Sequence, residues 1–230
     1  MKVVVFSGAG MSAESGINTF RGSEGLWENH SIYDVATPEA WERNPELVLE
    51  FYNQRRKTVL NSKPNLGHTL LAQSEKDFDI TIITQNIDDL HERAGSSKVI
   101  HLHGEIRKSQ SSFDEKLVND IEGEHLGLGE LCSLGSQLRP QVVWFGEEVP
   151  MLSVAAEVIS QCEGIIVIGT SLKVYPAAGL LDFLQETAIR MIIDPQLPTT
   201  SSEWIHFESG AVVGVESALK YLEKQKARKS

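Results

Sequence analysis

Cysteine is scarce in this chain of 230 residues, which contains only Cys132 and Cys162. Two cysteines cannot form a disulfide framework or a four-cysteine zinc site, and they are typical of free thiols in a reducing compartment. Long apolar runs are also absent, since no stretch approaches the roughly 20 residues that cross a bilayer. The chain opens on a short strand-like run instead of the longer apolar region of a signal peptide. We therefore expect a cytoplasmic protein without a membrane segment.

Basic residues are fewer than acidic ones: the chain has 21 Lys and Arg against 32 Asp and Glu, which gives a net charge of -11. A surface of this sign repels phosphate backbones and anionic lipid head groups, so neither nucleic acid nor a membrane is an expected partner. A lysine-rich protein segment would be weakly attracted, although salt screens most of that attraction.

Short β-branched runs alternate with helical stretches along the chain, which predicts an α/β fold with a parallel sheet. Strands are predicted at residues 3–7, 80–84, 99–102, 142–145, 164–169 and 190–193. Helices are predicted at residues 38–60, 67–74, 87–94, 151–161, 176–186 and 213–225. Two segments interrupt the alternation: residues 18–37 are expected to be a long ordered loop and residues 107–137 a small, weakly packed insertion.

The run GAGMSA at residues 8–13 directly follows the first predicted strand. Glycines at this place allow a tight turn and a close backbone approach to a pyrophosphate. The position between strand and helix favours dinucleotide binding over a purely structural turn. A dehydrogenase would continue into a second strand that ends in Asp or Glu, whereas this chain enters the loop with Phe20 and Arg21. Hydride transfer is therefore the less expected use of the motif.

Three polar side chains, Gln85, Asn86 and Asp88, follow the strand predicted at residues 80–84. Ligands of open α/β sheets bind beyond the carboxyl ends of the strands, where these side chains could bond ribose hydroxyls and a carboxamide. Asn86 or Asp88 could equally be a simple helix cap, and the residues alone do not decide between the two interpretations.

Two histidines, His101 and His103, lie on one face of another predicted strand. No third ligand of suitable spacing stands nearby, which disfavours a metal site. A histidine that closes a strand and precedes a glycine is well placed to accept a proton near neutral pH, although lone histidines are more often structural.

Two later segments are ambiguous by themselves. Gly169, Thr170 and Ser171 end a predicted buried strand and could offer amides and hydroxyls to a ribose or phosphate. Trp144 and Phe145 lie in a strand-like run, where aromatic residues usually belong to the core.

Together the motifs resemble the sirtuin family of NAD-dependent protein deacylases. The matching strings, in the family's order between residues 8 and 179, are GAGMSAESGINTFRG, TQNIDDLHERAG, HLHGE, LRPQVVWFGE and GTSLKVYPAAG. The resemblance implies one catalytic domain over residues 1–230, with a Rossmann-like doubly wound parallel sheet and a small inserted module. The implied parts are a large domain at residues 1–17, 75–105 and 138–230, a cofactor loop at 18–37, a helical part at 38–74 and a degenerate zinc module at 106–137.

The resemblance also implies a reaction, in which the acyl group of a lysine moves to ADP-ribose and nicotinamide is released. The implied catalytic residues are His103, as the base acting on a ribose hydroxyl, and Asn86, which orients that ribose. The implied NAD-binding residues are Gly8, Ala9, Gly10, Ala13, Phe20, Arg21, Gln85, Asn86, Asp88, Gly169, Thr170, Ser171 and Asp194. The acyl-lysine peptide would bind as an added strand. The implied substrate-binding residues are Tyr52, Arg55, Val143, Trp144, Phe145, Gly146 and Val174.

The acyl group is indicated by Tyr52 and Arg55, which share one face of a predicted helix. This Tyr-x-x-Arg pair is similar to that of sirtuins that remove succinyl, malonyl or glutaryl groups. Arg55 can pair with a distal carboxylate while Tyr52 adds a hydroxyl bond. The alternative is that Arg55 and Arg56 are solvated helix charges. We expect an acidic-acyl preference, with acetyl groups also accepted.

The chain departs from the family in three places. Residues 107–112 lack the usual cysteine pair and the second place offers only Cys132, so no structural zinc is expected. Asn18 replaces a usual proline, and Asp194 stands where asparagine commonly meets the adenosine ribose. The competing functions are a mono-ADP-ribosyltransferase or NAD hydrolase, and a catalytically weak NAD-binding protein.

Overall fold

The computed structural model describes residues 1–18, 26–27, 30–172, 174–196 and 203–229. The strands are β1 (Lys2–Ser7), β2 (Leu26–Trp27), β3 (His30–Ser31), β4 (Asp79–Thr84), β5 (Val99–His101), β6 (Gly104–Ser111), β7 (Val118–Asp120), β8 (Leu138–Val142), β9 (Gly164–Ile168), β10 (Ile189–Ile193) and β11 (Ile205–Phe207). The helices are α1 (Gly10–Ala13), α2 (Ile32–Val35), α3 (Pro38–Arg43), α4 (Pro45–Asn61), α5 (Leu66–Ser74), α6 (Leu90–Ala94), α7 (Leu152–Ser160) and α8 (Ala211–Lys229), with a 3₁₀ helix at Ala177–Phe183.

Six strands form one parallel sheet in the order β11-β10-β9-β1-β4-β5. This is the strand order of the doubly wound dinucleotide-binding fold, in which the chain reverses its direction of winding beside the first strand. The α/β prediction is therefore confirmed. The reversal lies between β1 and β9, so the segments that follow these two strands meet at the place where such sheets bind their ligands.

Helices cover both faces of this sheet, which explains why its strands are almost continuously apolar. Val3 and Val5 of β1 pack with Leu222 of α8 on one face. Val4 and Phe6 point the other way and join the cluster that contains Ile159 of α7. The two faces alternate along each strand because successive side chains of a strand point in opposite directions.

The helix predicted at residues 38–60 is broken into α3 and α4. Asn44 ends the first helix and caps the second, accepting a hydrogen bond from the Leu47 backbone N–H at 3.1 Å. Pro45 occupies the first turn of α4, where its missing N–H costs nothing. The Asn-Pro pair marks this boundary, because a residue before proline is pushed away from the helical conformation.

The prediction of a strand at residues 142–145 is wrong. The strand is β8, which ends at Val142 and pairs antiparallel with β6 in a three-stranded sheet ordered β7-β6-β8. The chain leaves the sheet because the backbone N–H of Trp144 donates to the Glu147 carboxylate and Gly146 adopts φ 96°. The segment expected to be weakly packed contributes β7 and the end of β6 to this sheet, in which the pairing of β6 with β8 shifts register between Gly104 and Ser109.

Other boundaries also shift. The helix predicted at residues 87–94 begins only at Leu90, and that predicted at residues 176–186 is a 3₁₀ helix. The long loop expected at residues 18–37 contains the β2–β3 ribbon and α2 among its described residues. None of the described helices is both long and apolar enough to cross a bilayer.

Candidate active site

The GAGMSA run forms the turn after β1 and the whole of α1, and it packs against the turn after β9. The Gly8 N–H donates to the Ile168 carbonyl and the Gly10 N–H donates to the Gly169 carbonyl, both at 2.9 Å. A Cβ on Gly10 would lie 2.5 Å from Gly169 Cα, and one on Gly8 would lie 2.8 Å from the Gly169 oxygen. These glycines are therefore required for the two turns to touch at the reversal point of the sheet.

The turn after β9 carries Gly169, Thr170 and Ser171, as the sequence analysis expects. Gly169 has φ 61°, a left-handed conformation that suits glycine. Thr170 Oγ1 accepts a hydrogen bond from Gln85 Nε2 at 3.1 Å, which joins this turn to the segment after β4. Ser171 is exposed at the same edge. The structure thus brings three of the predicted motifs together.

Asn86 and Asp88 are buried and meet at Ser12. Asn86 Nδ2 donates to the Gly8 carbonyl at 3.1 Å and to Ser12 Oγ at 3.3 Å. Ser12 Oγ in turn donates to Asp88 Oδ2 at 3.0 Å. Burial raises the pKa of Asp88 above its ordinary value, and it outweighs the hydrogen bonds from Leu90 and Ser12 that favour the carboxylate.

The simple capping interpretation is wrong for both residues, because the N-cap of α6 is Asp89, although Asp88 bonds the first residue of that helix. Asp88 Oδ1 accepts from the Leu90 backbone N–H at 3.2 Å, at the start of α6. Asn86 makes no such bond, and its backbone N–H donates to Thr84 Oγ1 at 3.0 Å. Its side chain is held by β1 and α1, which leaves it at the strand edge and not at a helix end. Ser12, which sequence reasoning left out of the site, is the group that connects the two.

His103 is half-buried and held in one tautomer. Its Nδ1 lies 3.0 Å from the Gln85 carbonyl oxygen. A carbonyl only accepts hydrogen bonds, so Nδ1 carries the proton and Nε2 of the neutral ring keeps a free lone pair. Burial lowers the pKa of His103 below its ordinary value, and the bond to Gln85 offsets only part of this effect. The ring is therefore a neutral base near physiological pH.

His101 has the opposite character. Its Nδ1 lies 3.1 Å from the Asn86 carbonyl and its Nε2 lies 2.7 Å from the Glu92 carboxylate. Burial disfavours the charged ring, but the Glu92 bond, the charges of Glu92 and Glu105, and the carbonyl raise its pKa overall. His101 is thus an ion-paired residue that braces Asn86, and only His103 remains as a candidate base.

Tyr52 and Arg55 are both buried on α4, with 0% and 7% of their surfaces exposed. The interpretation of Arg55 as a solvated helix charge is therefore wrong. Its guanidinium carbon lies 5.7 Å from the centroid of the Phe51 ring. The Tyr52 hydroxyl accepts a hydrogen bond from Trp144 Nε1 at 3.1 Å.

Arg56 is fully buried too, but its partners are structural. It donates to the Ile106 carbonyl at 2.8 Å, to Asn53 Oδ1 at 2.6 Å and to the Glu124 carbonyl at 3.0 Å. Burial lowers the pKa of Arg56 to about 10, which leaves it charged at neutral pH. It anchors the segment after β7 to α4.

The residues that follow β8 differ in how far their side chains are exposed. Trp144 is buried, as the core interpretation expects, whereas Phe145 and Gly146 are exposed. The half-buried Val143 donates its backbone N–H to the His103 carbonyl at 2.9 Å, which ties this segment to the candidate base. Val174 is half-buried near the 3₁₀ helix and accepts from the Ala178 N–H.

Two predicted cofactor residues, Phe20 and Arg21, lie outside the described residues. Ala9 precedes α1 and Ala13 ends it. Asp194 directly follows β10, and its carboxylate accepts from the Gln196 backbone N–H at 2.8 Å. Its place beyond a strand end puts Asp194 at the same edge as the other motifs.

The described side chains do not provide the donor set of a structural zinc ion. Zinc of this kind needs four nitrogen or sulfur ligands in a tetrahedron. Over the described ranges, no group of three or more His, Cys, Asp or Glu side chains could hold a metal. Cys132 Sγ is instead hydrogen-bonded to Ser111 Oγ at 3.3 Å, and Cys162 lies in the core beneath α7.

Comparison with known proteins agrees with this geometry. The model of the Sir2 family matches residues 8–176. A protein of Bacteroides thetaiotaomicron named NAD-dependent protein deacylase is 48% identical over 221 residues, which cover 93% of this chain and 94% of the relative. A protein of the same name from Helicobacter pylori is 52% identical over 194 residues, which cover 84% of each.

Solved structures give the same result. A crystal structure of a Sir2 homolog–NAD complex has a TM-score of 0.87 at 36% identity and covers 97% of this chain and 90% of its own. A Sir2–p53 peptide–NAD+ structure has a TM-score of 0.79 at 31% identity, covering 96% and 92%. This chain therefore belongs to the Sir2 family, the sirtuins that its motifs resemble.

Proposed function

We propose that this chain is an NAD-dependent protein-lysine deacylase that accepts succinyl- and malonyl-lysine as well as acetyl-lysine. The burial of Arg55 beside Tyr52 is the observation that carries the acidic-acyl part. A buried guanidinium interacts strongly with an incoming carboxylate, because the low local dielectric screens the two charges weakly. An arginine kept in such a place is a natural partner for an acyl chain that ends in a carboxylate.

The chain's own residues fit NAD at the carboxyl edge of the sheet. A Cβ on Gly8, Gly10 or Gly169 would collide with the facing turn, so these glycines allow the turns after β1 and β9 to meet at the place where such sheets bind a pyrophosphate. NAD, when bound, would supply both the ribose carbon that loses nicotinamide and the ribose hydroxyl that receives the acyl group. The holding residues in this proposal are Gly8, Ala9, Gly10, Ala13, Phe20, Arg21, Gln85, Asn86, Asp88, Gly169, Thr170, Ser171 and Asp194.

His103 is the general base in this proposal. Its Nε2 takes the proton of a ribose hydroxyl, while the Gln85 carbonyl at Nδ1 stabilises the imidazolium that forms. Asn86 orients the same sugar, since its side chain is fixed by Gly8 and Ser12. Asp88 offers a carboxyl group to the nicotinamide amide.

The acyl-lysine peptide is the proposed partner, and it binds as an added strand next to Val143, Phe145, Gly146 and Val174. The bond from Val143 to the His103 carbonyl supports this placement, because it keeps the peptide segment at a fixed distance from the base. Recognition through backbone bonds allows many target sequences. A cytoplasmic location, and the exclusion of nucleic acid and membranes as partners, stay predictions from charge and composition.

Three peptides of one sequence test the acyl preference, carrying acetyl-lysine, succinyl-lysine or the uncharged amide analogue of succinyl-lysine. The amide matches the succinyl group in length and removes only the charge. We expect kcat/KM for the succinyl peptide to exceed that for the amide by about ten- to a hundredfold, the value of one charge-assisted bond. Equal rates for the charged and uncharged chains, with acetyl the preferred group, would contradict the acidic-acyl assignment.

The pH dependence follows from His103. Because burial lowers its pKa, the neutral and active ring persists to a pH below the ordinary histidine value of 6.5. Lowering the pH through that pKa protonates Nε2 and removes the base. We expect the acidic limb of the kcat/KM profile to have an apparent pKa below about 6.5. A midpoint well above 7 would show that another group controls the reaction.

We also propose that the module at residues 106–137 needs no zinc, because side-chain bonds cross-link it. Gln137 Nε2 donates to the carbonyls of Gly127 and Leu138 at 3.0 and 2.9 Å, and its Oε1 accepts from the Gly129 N–H at 2.8 Å. Asn53 of α4 bonds both backbone polar groups of Leu126. These bonds connect the loop to itself and to α4, as metal ligands would otherwise do.

A chelator should therefore leave the protein unchanged. We expect no stoichiometric zinc by elemental analysis, and the same Tm and deacylation rate before and after EDTA. The Gln137→Ala variant should lower Tm instead, because it removes three part-buried or exposed hydrogen bonds, each worth about 0.5–1.5 kcal/mol. One bound zinc per chain, with activity lost on chelation, would overturn the proposal.

A further inference from the structure

The Tyr52 hydroxyl is tied to a residue far away in sequence. Trp144 Nε1 lies 3.1 Å from the Tyr52 oxygen, and both side chains are buried, with 3% and 0% exposed. The indole N–H can only donate, so the phenol oxygen must accept in this bond. Because one lone pair of the Tyr52 oxygen points at the indole N–H, the phenol O–H points away from Trp144, toward another acceptor. Trp144 thus restricts the directions in which the Tyr52 hydroxyl can donate.

Trp144 is itself held by an ion pair. The Arg139 guanidinium carbon lies 4.0 Å from the centroid of the Trp144 ring, in a cation–π contact. Arg139 Nη2 also donates to the Glu147 carboxylate at 2.7 Å, and the other Glu147 oxygen accepts from the Trp144 backbone N–H at 2.8 Å. Ring and backbone are therefore fixed from two sides. The indole N–H cannot turn away from Tyr52 without breaking this arrangement.

We propose that Trp144 is a positioning residue for acyl specificity, which aims the Tyr52 hydroxyl at the carboxylate of an acidic acyl group. This inference rests on the proposed function, and it assigns Trp144 to the acyl pocket instead of the peptide surface. Its burial supports the assignment, because Phe145 beside it is 42% exposed while Trp144 is enclosed. Burial also raises the pKa of Tyr52, so the phenol keeps its proton at any working pH.

The Trp144→Phe variant tests the role, since it keeps an aromatic side chain at this position and removes the indole N–H together with part of the buried ring volume. We expect kcat/KM for a succinyl peptide to fall about two- to tenfold, the value of one neutral hydrogen bond, mainly through a higher KM. The loss on the matched acetyl peptide should be smaller, so that the succinyl-to-acetyl ratio of kcat/KM falls. An equal loss on both peptides would mean that Trp144 only packs the core, and would overturn the proposal.

A double-mutant cycle with Tyr52→Phe gives a second and independent readout. If Trp144 acts through the Tyr52 hydroxyl, adding Trp144→Phe to Tyr52→Phe changes the succinyl-to-acetyl ratio no further. Additive losses would contradict the proposal even if both variants were less stable. Failure of the proposed function is distinct, because the wild type would then show no succinyl preference. A wild-type preference that Arg55→Met removes and Trp144→Phe leaves intact would overturn this inference alone.

Discussion

The His103→Ala variant loses deacylation by about two to four orders of magnitude in kcat, the contribution of a positioned general base. The reason is local: His103 is half-buried at the edge where Asn86 and Asp88 meet, with a lowered pKa and its Nδ1 bonded to the Gln85 carbonyl. His91 also has a lowered pKa, but it is only 1% exposed and its Nε2 contacts Ser7 Oγ. His101 cannot take over, because both of its nitrogens face acceptors and its pKa is raised. The measurement is product formation from a succinyl and an acetyl peptide at saturating NAD.

His125→Asn is a suitable control for this prediction. His125 is exposed in the inserted module and contacts Asn53, so its replacement removes an imidazole without touching the sheet edge. We expect it to retain wild-type turnover. The His103→Ala protein should keep the wild-type Tm and bind NAD, which shows that the loss is chemical. Activity within tenfold of wild type in folded His103→Ala protein would exclude His103 as the base.

The Arg55→Met variant loses desuccinylation by about ten- to a hundredfold in kcat/KM, with the acetyl peptide changed by less than about threefold. Methionine keeps much of the buried volume and removes the charge that pairs with the acyl carboxylate. The measurement compares both peptides and the thermal unfolding of both proteins.

The adjacent Arg56 provides the matched control. Arg56→Met removes the donor of three buried bonds to Ile106, Asn53 and Glu124, so it should destabilise the fold by on the order of 3 kcal/mol. Its effect on the succinyl and acetyl peptides should be equal. If Arg56→Met changed the succinyl-to-acetyl selectivity and Arg55→Met did not, Arg56 and not Arg55 would bind the acyl carboxylate, which would contradict the proposal.

Much of the sheet was predictable because its strands are buried on both faces and read as apolar runs. The strands at residues 3–7 and 80–84 match β1 and β4 almost to the residue. The motifs at their ends were predictable for a related reason, since parallel strands bring their carboxyl ends to one edge. Gln85, Thr170 and Gly8 could therefore be expected near each other before any contact was known.

The remaining features depend on contacts between distant residues, which no local pattern reveals. The Trp144–Tyr52 bond joins positions 92 apart in the sequence. Arg55 and Arg56 are adjacent on α4, and no sequence pattern distinguishes them. The carbonyl groups of Ile106 and Glu124, which accept hydrogen bonds from Arg56, identify it as a structural residue. Ser12 was overlooked because a serine in a glycine-rich turn has no pattern of its own.

NAD-dependent deacylation is tested directly by incubating one succinyl-lysine peptide with NAD and measuring three products by mass spectrometry. We predict equal amounts of nicotinamide, free-lysine peptide and O-succinyl-ADP-ribose, and none of these products when the peptide or NAD is left out. Nicotinamide released without the acylated peptide, or ADP-ribose attached to protein while the succinyl group stays on lysine, would contradict it. Such a result would identify an NAD hydrolase or an ADP-ribosyltransferase built on the same site.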